Sequence, residues 1–243
     1  RSSYMNRIHI LVDNHSRGRY FRCLHDGNES GFELIYYTHR VSVYLTYKYK
    51  YNINNIKFIN DIKVNSEVEV PCQLDNRVIQ SFTGHQNSNK IEKLYQMMNV
   101  NLSNLVENVE NDDIAIVFNG ASSLSIAFSD FFKARGASTL YTEISNLPGK
   151  VIFDPKGVNA QSILYHNPEV LDYFDCTISD SQHVDWVKSY VESKKMPIPQ
   201  SKSRNIDVAS NIFDNLCGKL FPHVIDEFST SVVSRIQYYF SKN

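Results

Sequence analysis

The chain has 243 residues, more than the ~100 to 200 of one domain and fewer than two such domains comfortably need. Hydrophobic residues make up 42% and charged residues 21%, so an ordinary buried core is expected and wholesale disorder is not. The formal net charge of -1, from 25 basic and 26 acidic residues, supplies no overall field for nucleic acid, and an anionic ligand must be met by local groups.

Four cysteines, Cys23, Cys72, Cys176 and Cys217, are scattered without a C-x-x-C pair. That spacing argues against a disulfide framework or a zinc site and for a reducing compartment. No apolar run approaches the ~18 residues of a spanning helix, and the N-terminal residues lack a signal-peptide pattern, so a cytoplasmic protein is expected. Residues 1–4, ahead of Met5, are left out of the fold argument.

In chain order, residues 8–12 form a compact apolar run ending in Asp13, Asn14 and His15, and the following RGRYFRCL starts a helix after polar capping residues. Residues 32–37 predict a second strand, and residues 41–51 alternate Val, Tyr and Leu with polar residues in near period two, which predicts a third. The asparagine-rich stretch 52–65 predicts no element, and 80–90 reads as a polar loop. Over 91–109, Ile91, Leu94, Tyr95, Met98, Leu102, Leu105 and Val106 fall at helical spacing.

The run 114–118 is continuously apolar, as a central parallel strand covered on both faces must be, and it ends at Asn119 and Gly120. Ser122 and Ser123 are candidate caps for a helix bearing Leu124, Ile126, Phe128, Phe131 and Phe132, with Gly136 as its stop. Another strand follows over 139–144. Strand, helix, strand is the βαβ signature, and ligands of such sheets bind at the loops after the strands, here 13–19, 119–123 and 143–148.

Val151, Ile152 and Phe153 predict a buried strand that delivers Asp154 to its mouth. Strand or helix is expected over 170–178 and 184–191, a connector over 194–203, and two helices split around Pro222 over 206–243. The expected organisation is a Rossmann-like α/β domain over 5–200, mostly parallel with flanking helices, and a C-terminal helical segment over 201–243.

The densest chemical signal is TEISNLPGKVIFDPKGVNAQS, residues 142–162. With Asn119 and Gly120 before it, and with Glu143, Pro148, Asp154, Gly157, Val158, Asn159 and Ser162 in order within it, this segment resembles the capsule polysaccharide biosynthesis proteins, bacterial glycosyltransferases that add Kdo sugars. The resemblance covers residues 114–165, about a fifth of the chain. It implies one half of a two-domain GT-B-like glycosyltransferase, a CMP-activated Kdo donor, a saccharide or lipid-linked acceptor, no required cofactor or metal, and a place at the inner face of the membrane.

Glycosyl transfer passes through an oxocarbenium-like state and needs a carboxylate to take the acceptor proton or stabilise the anomeric carbon. Asp154 and Glu143 are the candidates, although Asp154 before Pro155 also suits a turn in which its side chain accepts backbone N–H groups. Asn119, Gly120, Asn159 and Ser162 are candidate substrate-binding residues. The first two equally suit a strand-to-helix turn, and Gly157 above all, with Asn159, suits a turn at positive φ. Arg17 and Arg19, with Arg22, lie near a helix N-terminus where a carboxylate or phosphate would bind, or else form a solvated basic turn.

His15 and His39 are read as ordinary surface or core residues, and Tyr44, Tyr47, Tyr49 and Tyr51 as packing residues. After Ser162 only about eighty residues remain, where the family has a donor-binding domain. A non-catalytic saccharide-binding or assembly module working with a partner chain is therefore the rival to the enzyme.

Overall fold

The computed structural model describes residues 6–28, 31–61, 74–78, 88–145, 151–172, 179–194 and 205–225. Six strands form one sheet in the order β3-β2-β1-β4-β5-β6. They are β1 (Arg7–Leu11), β2 (Glu33–Thr38), β3 (Ile56–Phe58), β4 (Ile114–Phe118), β5 (Ser138–Ile144) and β6 (Val151–Asp154). All pair in parallel except β6, which runs antiparallel to β5 at the edge. The chain moves outward from β1 to β3, returns to β4, and moves outward the other way, so the order reverses between β1 and β4.

Helices cover both faces, which is why β4 is apolar on every residue and β1 and β2 bury side chains on both sides. Ile10, Val12, Leu34, Tyr36 and Ile116 face one side, with Phe21 of α1 (His15–Asp26) and Val43 of α2 (Val41–Leu45). Leu11, Ile35, Tyr37, Ala115 and Val117 face the other. There they meet Leu94 and Met98 of α4 (Ser88–Leu105) and Phe128 and Phe132 of α5 (Ser123–Lys133), while α3 (Leu74–Arg77) contributes Leu74. The period-two alternation along β1, β2 and β4 therefore serves two cores at once.

Residues 41–50 are helical, with Tyr51 as their cap, and not the strand predicted over 41–51. α2 continues into a π-helical turn, Thr46–Lys50, closed by the Tyr51 N–H donating to the Thr46 carbonyl at 3.0 Å. Val43, Tyr47 and Tyr51 recur at four-residue spacing and turn toward the core, whereas Tyr49 lies out in solvent. The Tyr47 hydroxyl donates to the Gly18 carbonyl at 2.7 Å. A side chain at Gly18 would meet Val12 at 3.2 Å and the Tyr47 ring at 3.3 Å, so the glycine lets α1 lie close on β1 and α2.

β3 lies within the stretch from which no element was expected. β6 also departs from expectation: it is an edge strand with Ile152 and Phe153 about two-fifths exposed (40% and 43%), not a buried one. Short helical turns follow, Asn159–Gln161, α6 (Ile163–His166) and Pro168–Leu171, and then α7 (Asp180–Lys194), which contains the predicted element at 184–191. α8 (Asn205–Leu220) is the first of the two predicted C-terminal helices, and it packs on α1 and α2 of the α/β body. The expected boundary near residue 200 and the second helix lie outside the described residues.

The packing of α8 is polar. Asp214 accepts the Ser42 backbone N–H at 2.8 Å and the Ser42 hydroxyl at 2.5 Å, supplying a carboxylate to the first turn of α2, where Arg40 at the cap position makes no side-chain capping bond. Beyond α8 the chain turns, the His223 carbonyl accepts the Asp61 N–H at 2.9 Å, and Ile225 enters the core. Among the described residues no helix is long and apolar enough to cross a membrane. Cys23 is exposed and Cys217 buried, both as free thiols, and Cys72 and Cys176 lie outside the described residues.

Candidate functional site

The carboxyl ends of β1 and β4, where the strand order reverses, are the place where open α/β sheets bind ligands. After β1, the Asn14 side chain caps α1 by accepting the Arg17 N–H at 2.9 Å. The Arg17 guanidinium pairs with Asp13 and lies 4.2 Å above the Phe118 ring at the end of β4. From the end of β2, Arg40 donates its Nε to the Asp13 carbonyl at 3.2 Å and is itself buried. Two cations thus converge on the first turn after β1, one of them over an aromatic face.

After β4 the backbone turns sharply. Asn119 has φ of 64° and Gly120 φ of 71°, consecutive left-handed residues that let the chain leave the sheet and start α5, capped by Ser122. A Cβ at Gly120 would lie 2.5 Å from the Tyr141 ring, so only glycine fits. Asn119 donates its backbone N–H to the Thr142 carbonyl at 2.8 Å and its Nδ2 to the Glu143 carboxylate at 2.7 Å. The other Glu143 oxygen accepts the Ile144 N–H at 3.0 Å. Glu143 is therefore a half-buried carboxylate with both oxygens oriented at the carboxyl end of β5, and Asn119 is the residue that orients it.

The β5–β6 register pairs Tyr141 with Asp154 and Glu143 with Ile152. This puts both candidate carboxylates on one face of the sheet as diagonal neighbours, with Cβ atoms about 7 Å apart. Their circumstances differ. Asp154 is 4% exposed. One of its oxygens accepts the N–H groups of Lys156 at 2.8 Å and Gly157 at 3.1 Å, and the other accepts that of Ile163 at 2.7 Å. The turn-forming alternative accounts for each of these bonds, which tie β6 to the start of α6.

The remaining motif residues belong to that same loop. Asn159, exposed, sits at φ 54° at the start of a 3-10 turn, and Ser162 caps α6 by accepting the Tyr165 N–H at 3.1 Å. Gly157 is not at positive φ, contrary to expectation. It is required because a Cβ there would meet that of Gln161 at 2.6 Å. Arg19 bonds Ser16 one turn back on α1, and Arg22 pairs with Asp26 and stacks on Tyr51. Of the three arginines, Arg17 is the one shown against the end of β4. His39 is buried beyond β2.

Sequence reasoning passed over Arg40 and Phe118. Arg40 follows β2 at a strand carboxyl end, a signal obscured by reading the next residues as a strand. Among the described residues no group of His, Cys, Asp and Glu is arranged to hold a metal ion. Comparison with protein-family models, with curated proteins and with solved structures finds no match to this chain.

Proposed function

We propose that the chain is a glycosyltransferase-like protein of bacterial capsule or surface polysaccharide biosynthesis, corresponding to one half of a GT-B-like enzyme. In this reading it transfers a sugar, with Kdo from CMP-Kdo the donor to test first, to a saccharide or lipid-linked acceptor at the inner face of the membrane. The observation that carries the reading is Glu143. Its carboxylate is held by Asn119 and the Ile144 N–H at the carboxyl ends of β4 and β5, beside the reversal of strand order. A carboxylate fixed there is suited to accept an acceptor proton, and Arg17 and Arg40 are suited to an anionic donor. Asp154, with its oxygens engaged by backbone, acts in this scheme by shaping the floor of the site, and Asn119 positions Glu143.

The test is saturation-transfer NMR with CMP, CMP-Kdo and short capsule oligosaccharides, on the wild type and on Glu143→Gln. Donor consumption by the wild type, and a fall of roughly 10²- to 10⁴-fold in the variant with donor binding retained, is the expected result. Glycan binding without turnover or nucleotide contact would assign the chain to the rival class, a saccharide-binding or assembly module. Silence from every ligand would refute both.

A further inference from the structure

Helix α5 begins beside the reversal of strand order, and its first turn carries more hydrogen-bond donors than the protein fills. Ser122, at the cap position, serves two of the N–H groups. Its hydroxyl accepts that of Ser125 at 3.1 Å and its carbonyl that of Ile126 at 2.9 Å. Among the described residues nothing accepts the N–H groups of Ser123 and Leu124, each residue being 1% exposed. The Ser123 hydroxyl is likewise buried without a partner.

An unfilled buried donor is costly, and nearly all such groups in folded proteins are met by protein, water or ligand. Side chains of a helix tilt toward its N-terminus, so from the first position of α5 the Ser123 hydroxyl is directed back toward the loop 119–122, which is part-exposed. Three unfilled donors thus meet at the end of the helix where the aligned peptide dipoles place partial positive charge.

We propose that the start of α5 binds a phosphomonoester, whose three terminal oxygens accept the Ser123 and Leu124 N–H groups and the Ser123 hydroxyl. The surroundings suit an anion. The first turn of α5 has no acidic residue, and Asp13 and Glu143, the carboxylates on this edge of the sheet, are engaged by Arg17 and Asn119. Arg17, over the ring of Phe118 just ahead of the loop, adds a cation to the same edge. A cation would find donors where it needs acceptors, and a carboxylate has one oxygen too few. The site stands whether or not Glu143 acts as a base.

The test is a set of ¹H–¹⁵N correlation spectra of the full chain titrated with inorganic phosphate, CMP and glucose 1-phosphate at fixed ionic strength. The Ser123 and Leu124 amides should move and saturate, and the ester that saturates them at the lower concentration shows whether the ligand is a nucleotide or a sugar phosphate. Ser123→Ala should weaken binding roughly tenfold. The ligand-free variant should melt no lower than the wild type, because the hydroxyl it removes has no partner within the protein. Those two amides staying still with every ligand, shifts confined to another part of the chain, a variant that binds as the wild type does, or a ligand-free variant that melts lower would each overturn the proposal. None of these readings depends on turnover, so the failure of glycosyl transfer would leave them intact.

Discussion

Acidification should destabilise this fold through one buried histidine. His9 lies in β1 on the α4–α5 face, 1% exposed, with its ring 4.4 Å from that of Phe132. Its Nδ1 is 3.0 Å from the Tyr37 hydroxyl and its Nε2 is 3.5 Å from the Asp113 carboxylate. Arg7 already binds both oxygens of that carboxylate, at 3.1 and 2.7 Å. Burial pushes the imidazole down to about 4, opposed by Asp113 and assisted by the nearby Arg7 charge. At Asp113 burial acts upward, but the Arg7 hydrogen bond and the Glu110 N–H outweigh it and hold the carboxyl below its ordinary value.

In the unfolded chain the histidine regains a value of about 6.5, so between pH 4 and 6.5 the unfolded state binds more protons. Stability therefore rises with pH through that window and is lost on acidification. At about 1.4 kcal/mol per unit, lowering the pH from 7.5 to 4.5 should remove about 2 to 3 kcal/mol through this residue. Asp113 adds its own loss only at lower pH, since a depressed carboxyl contributes stability until the pH falls through its ordinary range. Urea denaturation across pH 4.5 to 7.5, for the wild type and His9→Gln, isolates this contribution from the other histidines. The variant should start less stable and lose about 2 to 3 kcal/mol less over the range. Equal pH slopes for the two proteins would refute the reasoning.

Asp154→Ala leaves the N–H groups of Lys156, Gly157 and Ile163 without their acceptor, and should cost about 1 to 3 kcal/mol, with hydrogen exchange accelerated at those three amides. Gly120→Ala should lower the melting temperature by an amount equivalent to about 1 to 3 kcal/mol, from positive φ and the clash with Tyr141, and an unchanged melting temperature would contradict the geometry. Asp214→Ala should cost about 2 kcal/mol by urea denaturation and speed proteolysis within α8, since it removes the bonds that tie that helix to α2.

Several elements were legible because local pattern and global environment agree. The run 114–118 has to be apolar on both faces to lie between two helical layers, and it is β4 residue for residue. Ser122 caps α5 and Gly136 ends the turn after it at φ 89°, each doing what its side chain, or lack of one, permits. The tyrosines at 44–51 misled because alternation and a four-residue repeat coexist there, and only packing against Gly18 and Val12 selects the helix. The Val-Ile-Phe triplet before Asp154 carries the composition of a central strand, but it pairs with β5 alone, at the edge of the sheet. Arg40 and Phe118 were missed as site residues because one follows β2 and the other ends β4, 78 positions apart, and both reach the turn after β1 only when β1 forms between β2 and β4.

Periodicity and capping are local properties, so the α/β class, the βαβ unit from 114 to 144 and the two candidate carboxylates could be read from the chain alone. Tertiary structure decided which carboxylate stands available. Asp154 and Glu143 look equivalent in a string of letters, and the difference between them lies in their partners. Asp154 is enclosed by the N–H groups of its own loop, whereas Glu143 is held at the carboxyl end of β5 by an asparagine 24 residues away. Tertiary structure likewise turned the polar side of α8 inward, because the first turn of α2 offered Asp214 the Ser42 N–H and hydroxyl that no neighbour in sequence supplies.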